Sequence, residues 1–218
     1  MNAFVAVVLA YLAGSIPTAY LAGRWLKGID LRTVGSGNLG ATNVHRNLGG
    51  TAAIVVLLAD FLKGALPAGL LAALVPVPAA TIATGPFIGS SALWLGLACG
   101  VAAIAGHAKP IFLLWRGGGK GVATAAGVFA ALAPGAFAIA FVSFAITFAL
   151  SRIVSLASIS AAITMPVGML LTVGVSSPLF LVSVIVSVFV LWSHRGNMTR
   201  LRQGTEPRFG ANSAAGAR

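Results

Sequence analysis

Acidic side chains are almost missing from this chain: Asp30, Asp60 and Glu206 are the only three in 218 residues. Metal cages built from carboxylates, histidines and thiolates need a denser supply of ligands, and paired-carboxylate chemistry needs neighbours that these three do not have. No dedicated metal cage is therefore expected. Cysteine is scarcer still. Cys99, between Ala98 and Gly100 in an apolar run, excludes a disulfide framework and a cysteine-based metal site, and it reads as a packing residue. Charge of either sign is thin, at 8% of residues where a soluble domain carries about a quarter. Because 58% of the residues are hydrophobic, the chain is not a disordered one either.

What charge there is leans one way. Fourteen Lys and Arg give a formal +11, a balance that in a polar chain would point to nucleic acid. In a chain this apolar it points instead to a polytopic membrane protein with basic loops, and no nucleic-acid partner is expected. Seven apolar segments follow one another, at roughly 2–23, 51–74, 87–106, 121–133, 136–150, 155–174 and 178–193. A membrane crossing takes about 20 apolar residues, so the fourth and fifth are short; the helix-ending pair Pro134-Gly135 separates them.

Counting them separately makes the charge one-sided. The outer connections 75–86, 134–135 and 175–177 carry no Lys or Arg, and every Lys and Arg except Lys63 falls in an inner segment. The N-terminus has no basic residue ahead of its apolar stretch and acquires Arg24 and Lys27 only after it, unlike a signal peptide. The expected fold is all-α: a polytopic membrane protein of about seven transmembrane helices, N-terminus outside and C-terminus cytoplasmic. A five-span arrangement with re-entrant segments is the alternative. Residues 1–210 read as one domain, and 211–218 as a disordered tail.

The inner loops concentrate glycine, small polar residues and cations. The first contains Gly35, Ser36, Gly37, Asn38, Gly40, Thr42, Asn43, His45 and Arg46. It holds a literal G-x-G-x-x-G, but its flanks are membrane spans rather than the strand and helix of a dinucleotide fold. What remains is a backbone free to turn N–H groups onto an anion, with hydroxyl and amide donors beside it; a solvated flexible loop is the plain alternative. The second has His107, Lys109 and Arg116, then Gly117, Gly118, Gly119, Lys120 and Gly121. Gly121 stands where a P-loop would put Ser or Thr, so no P-loop is read, yet a cation among glycines at a helix start suits phosphate. The bland reading is a topological anchor with a glycine hinge.

A third cluster has Arg152, Ser155 and Ser158, the two serines on one helix face. A fourth has His194 and Asn197, also three apart, and then Glu206 alone among basic residues, as for an internal ion pair. Asp60 and Lys63, three apart inside the second apolar segment, make sense as a mutual pair in a structural role.

These clusters, in this order, resemble the acyl-phosphate:glycerol-3-phosphate acyltransferases of bacteria, the PlsY family. The matching stretches are 14–20, 35–46, 60–64, 106–107, 118–124, 152–159 and 194–206. Lys109, where the family often has an aromatic, and the third glycine of 117–119 depart from its pattern. The resemblance implies a multi-pass enzyme of the bacterial plasma (inner) membrane with its active site on the cytoplasmic face. It would transfer an acyl group from acyl phosphate to the 1-hydroxyl of sn-glycerol 3-phosphate, giving lysophosphatidic acid and phosphate in phospholipid biosynthesis. Its partners would be those substrates and membrane lipid, without metal or cofactor.

The resemblance carries catalytic roles onto Ser36, Arg46, Lys120, His194 and Asn197. Substrate binding would involve Gly35, Gly37, Asn38, Gly40, Thr42, Asn43, His107, Gly117, Gly118, Gly119, Gly121, Arg152 and Ser155. Asp60, Lys63 and Glu206 would be structural. The His-x-x-x-x-Asp dyad of common glycerolipid acyltransferases is absent: Gly50, Phe112 and Thr199 stand five residues after the three histidines. Since an acyl phosphate is already activated, a covalent role for Ser36 is disfavoured. Proton removal falls to His194 or, preferably, to the departing phosphate. A transporter of a phosphorylated metabolite competes, but alternating access wants a site near the midplane rather than polar clusters on one side. A scaffold binding anionic lipid would need no ordered Ser, Asn, His and Gly pattern.

Overall fold

The computed structural model describes residues 1–76, 81–84 and 87–210. Among them the helices are α1 (Ala3–Ser15), α2 (Thr18–Lys27), α3 (Ala41–Leu48), α4 (Gly50–Leu66), α5 (Ser91–Ala108), α6 (Val122–Leu132), α7 (Pro134–Ser151), α8 (Val154–Thr172), α9 (Pro178–Ser193) and α10 (Arg195–Arg202). The fold is predominantly helical, as the all-α expectation has it, with one short strand pair beside the helices. Strands β1 (Thr81–Thr84) and β2 (Phe87–Ser90) pair antiparallel, Thr81 opposite Ser90 and Thr84 opposite Phe87. The third apolar segment therefore turns helical only at Ser91, where the Ser90 hydroxyl accepts the Leu93 N–H at 3.1 Å as an N-cap. The expected tail at 211–218 lies outside the described residues.

Proline and glycine punctuate the helices as their chemistry demands. Pro17 lacks an N–H, and the first apolar segment is split there into α1 and α2. Gly28 then ends α2 in the left-handed conformation at φ 66°. By length and apolarity, five described stretches suffice to cross a membrane: Ala3–Lys27, Gly50–Leu71, Ser91–Leu113, Pro134–Ser151 and Val154–Thr172. The pair α9 and α10, bent by 57°, makes a sixth if taken as one span. α7 is longer than its apolar run suggested, at 18 residues, because Pro134 begins the helix rather than ending one. α6 has 11 residues, about 16 Å of helix against a hydrocarbon core of about 30 Å.

Small residues let these helices approach closely. A Cβ at Gly127 of α6 would overlap the Phe61 carbonyl of α4, and one at Gly64 of α4 would overlap the Thr124 carbonyl of α6. α7 and α8 are joined instead by hydroxyls. Ser143 and Ser160 lie 2.7 Å apart, Thr164 donates to Ser143 at 3.0 Å, and Thr147 donates to Ser160 at 3.1 Å. Phe129, Val128, Met165 and Met169 fill the main core between α5, α6, α8 and α9. At one end of this bundle α3, the 117–121 turn, the α7–α8 corner and α10 converge on a single cavity.

Candidate active site

The first loop is shaped by Asn43, which is 2% exposed. Its amide donates to the carbonyls of Leu31 (3.0 Å) and Val34 (3.2 Å), while its Oδ1 accepts the Ser36 N–H at 3.1 Å. Gly35 passes so close to that Oδ1, at φ 61°, that a side chain would collide with it. Asn43, expected as a substrate contact, has its side chain committed to holding the loop. Ser36, Asn38, Gly40, Thr42, Asn43 and Arg46 line the cavity; Gly35 and Gly37 are not among its lining residues.

The triple-glycine run is likewise a joint. The Gly118 carbonyl accepts the Leu39 N–H at 3.2 Å and the Asn38 amide at 3.3 Å, and the Gly119 N–H donates to the His107 carbonyl at 3.1 Å. Gly119 packs so tightly on the His107 ring that a Cβ has no room. These bonds knit the second loop onto the first and to α5, so Gly117, Gly118 and Gly119 do not line the cavity, whereas Lys120 and Gly121 do. Immediately after them α6 begins without a side-chain cap, as α3 does after Gly40. Val122 and Ala123 of α6, and Ala41 and Thr42 of α3, line the cavity. Two uncapped helix starts, each with unpaired N–H groups and the positive end of its dipole, therefore border one space.

Glu206, 9% exposed, organises the far side. Its Oε1 accepts Ser155 Oγ at 2.7 Å and Asn197 Nδ2 at 2.6 Å, and its Oε2 accepts Arg200 Nε at 2.7 Å. Burial alone would raise this carboxyl, but those three donors outweigh it and hold it below the ordinary carboxylate range. The Asn197 amide, fixed by Glu206, turns its oxygen to accept the Lys120 ammonium. Burial pushes Lys120 down to about 8; Glu206 opposes this, and Arg200 and Arg46 add to it.

His194, 3% exposed, follows the end of α9. Its Nδ1 lies 2.8 Å from the Val190 carbonyl. A carbonyl only accepts, so Nδ1 carries a proton and, in the neutral ring, Nε2 is left as the acceptor.

Deeper in the bundle the Asp60 carboxylate receives Lys63 at 2.7 Å and the Thr18 hydroxyl at 2.6 Å, with His107 Nδ1 at 3.7 Å. Lys63 also donates to the Ile16 carbonyl at 3.0 Å, so the pair pins the α1–α2 break onto α4 and α5. His107 supports the second loop from this cluster while also reaching the cavity wall.

Arg152 is placed elsewhere. It ends α7 in the left-handed conformation at φ 58° and is not among the lining residues. Two cations that sequence reasoning passed over do line the cavity, Arg200 and Arg208. The signal for Arg200 was present: it continues the three-residue step from His194 through Asn197. Arg208 lies in irregular chain and had none.

The cavity measures about 650 Å³. Arg46, Lys120, Arg200 and Arg208 border its polar end, while Phe61, Phe137, Phe141 and Phe144 line an apolar arm reaching Met165. Such a space suits a molecule with an anionic head and a hydrocarbon tail. An anion beside Lys120 needs the ammonium, so phosphate affinity is expected to fall as pH rises through about 8 rather than 10.5. The slope is at most about tenfold per pH unit. Titration of inorganic phosphate binding between about pH 7 and pH 10 checks this, and a flat profile contradicts it.

Comparison with known proteins places the chain in a family. The family model described as "Glycerol-3-phosphate acyltransferase" matches residues 4–204. A glycerol-3-phosphate acyltransferase of Synechococcus sp. (strain CC9902) is 48% identical over 210 residues, covering 96% of both chains. The crystal structure of PlsY (YgiH), an integral membrane glycerol 3-phosphate acyltransferase, in its glycerol 3-phosphate form superposes with a TM-score of 0.79. It is 36% identical, over 95% of this chain and 96% of that one. The lysophosphatidic acid form of PlsY superposes equally well, at 35% identity over 95% of each chain. With its match running almost end to end, this chain belongs to the glycerol-3-phosphate acyltransferase family.

Proposed function

We propose that the protein transfers an acyl group from acyl phosphate to the 1-hydroxyl of sn-glycerol 3-phosphate, releasing lysophosphatidic acid and inorganic phosphate. The observation that carries this is the pairing of two uncapped helix starts with a cluster of cations at one end of an apolar cavity. Each substrate brings about −1 to −2 near neutral pH, given a second phosphate pKa near 6. The α3 start with Ser36, Asn38, Thr42 and Arg46 offers one phosphate seat; the α6 start with Lys120 offers the other. A glycerol 3-phosphate form and a lysophosphatidic acid form of PlsY support the acceptor and the product.

Two phosphates held side by side leave little for a protein nucleophile to do. The donor is a mixed anhydride, so orientation and stabilisation of developing negative charge supply most of the acceleration. The glycerol oxygen attacks the acyl carbonyl, the carbon–oxygen bond to phosphate breaks, and the departing phosphate takes the hydroxyl proton. Nε2 of His194 accepts a hydrogen bond from the attacking hydroxyl and orients it. His194→Ala is accordingly expected to lower turnover by about a hundredfold, the lower end of the range for general-base loss. A loss beyond about a thousandfold, with binding and folding intact, would make His194 the base instead.

The hydrocarbon chain lies along the aromatic arm, where each buried methylene contributes about 0.8 kcal/mol. One-sided basic loops support placing the site at the cytoplasmic face of the bacterial plasma membrane, with the N-terminus outside and α6 counted as a seventh crossing despite its length. The test is purified protein in detergent with labelled glycerol 3-phosphate and either acyl phosphate or acyl-CoA. Lysophosphatidic acid from acyl phosphate alone is expected. Product only from acyl-CoA would overturn the donor assignment. No product from either, with uptake into sealed vesicles, would make the protein a transporter.

A further inference from the structure

Glu206 is followed by four residues that all line the cavity, Pro207, Arg208, Phe209 and Gly210, of which only Arg208 belongs to the cation cluster. The segment runs from the Glu206 cluster along the α7–α8 corner to α3. Glu206 holds its near end through Ser155, Asn197 and Arg200. Phe209 holds its far end in three ways. Its ring stacks on His45 of α3 at 4.3 Å between centroids and 17° between planes. It meets Phe148 of α7 edge-on at 5.6 Å, and its N–H donates to the Arg152 carbonyl at 2.6 Å. α3, which carries Thr42 and Arg46, is thereby tied across the cavity to the α7–α8 corner. Arg152 serves this strap through its backbone while its side chain stays off the cavity wall.

We infer that the strap 207–210, fastened by Phe209, keeps bulk water from the acyl donor, so that the acyl group passes to the glycerol hydroxyl rather than to water. This rests on the acyl-phosphate reading above. The reaction it suppresses is simple: a water oxygen bonds to the acyl carbonyl carbon, the carbon–oxygen bond to phosphate breaks, and phosphate leaves with the electron pair. The water's proton passes to phosphate or solvent, leaving a free carboxylic acid. An activated donor in a cationic site is vulnerable to this, and excluding water is the usual protection. Phe209 is a positioning residue; it touches neither phosphate seat.

The experiment measures free fatty acid and lysophosphatidic acid together, from labelled acyl phosphate and saturating glycerol 3-phosphate, with spontaneous hydrolysis in protein-free micelles subtracted. Phe209→Ala is expected to raise the acid-to-lysophosphatidic-acid ratio about tenfold, the shift that loss of roughly 1.4 kcal/mol of aromatic contact produces. Phe209→Trp, which keeps a stacking ring, is expected to restore the wild-type ratio. If Phe209→Ala lowers both products in proportion, the strap is only structural and the inference is overturned. Should that variant fail to fold, His45→Ala removes the stacking partner and is held to the same ratio. If the wild type uses acyl-CoA instead, the donor assignment fails separately, and the same ratio scored on the thioester decides the strap.

Discussion

Lys120→Met lowers turnover by about a hundred- to a thousandfold while leaving the protein as stable as the wild type or more so. The two halves of this expected result have one cause. The Lys120 ammonium is half-buried, close to Arg46 and Arg200, and its lowered pKa reports that the folded protein holds this charge at a disadvantage. Removing it relieves the folded state, which offsets the loss of the donor to the Asn197 oxygen. The same charge sits at the α6 start, where a phosphate would lie, and losing a preorganised charge at a reacting phosphate costs catalysis on that scale. Activity assays with thermal melts in detergent measure both. A variant that is less stable, and inactive only for that reason, would contradict the functional assignment. Lys120→Arg is not expected to rescue, because a planar fork does not fit a site shaped around one Nζ facing the Asn197 oxygen.

Glu206→Ala is the second large effect, and here stability and activity fall together. The substitution leaves the Ser155 hydroxyl and the Asn197 amide without their acceptor, at about 1–3 kcal/mol for each buried group left unpaired. Arg200 is half exposed, so its share is smaller, since water screens it once the carboxylate is gone. Asn197 then no longer presents its oxygen to Lys120, and a misplacement of even 1 Å costs about a hundredfold in turnover. Glu206→Gln keeps one acceptor oxygen and is expected to recover part of the melting temperature. Full activity in Glu206→Ala would show that the carboxylate does not organise the site.

Some of this was legible from spacing alone. Asp60 and Lys63 stand three apart in an apolar helix, where two charges have few other partners, and they meet at 2.7 Å. Glu206 is a lone acid in a basic stretch and pairs with Arg200. Both follow from the expense of an unpaired charge. Loop polarity, by contrast, does not reveal which way a side chain is used. Asn38 and Asn43 look alike in the sequence and both line the cavity, yet one donates to Gly118 while the other is consumed by the carbonyls of Leu31 and Val34. Gly118 and Gly119 suggested a phosphate cradle, but their backbone groups join two loops. Arg152 carried the right charge, but it stands at a left-handed corner and is not among the lining residues. The strap at 207–210 has no periodicity to betray it, because a four-residue crossing is defined by what it touches. The strands before α5 were hidden for a related reason: at four residues each, TIAT and FIGS show no alternating pattern.

Direct transfer between two phosphates bound together in one cavity leaves a kinetic signature, read from initial rates and a phosphate-release trace. Double-reciprocal plots intersect, and no stoichiometric burst of phosphate follows when acyl phosphate is mixed with protein alone. Parallel plots and a burst of one phosphate per protein, with the acyl group left on Ser36, would contradict it.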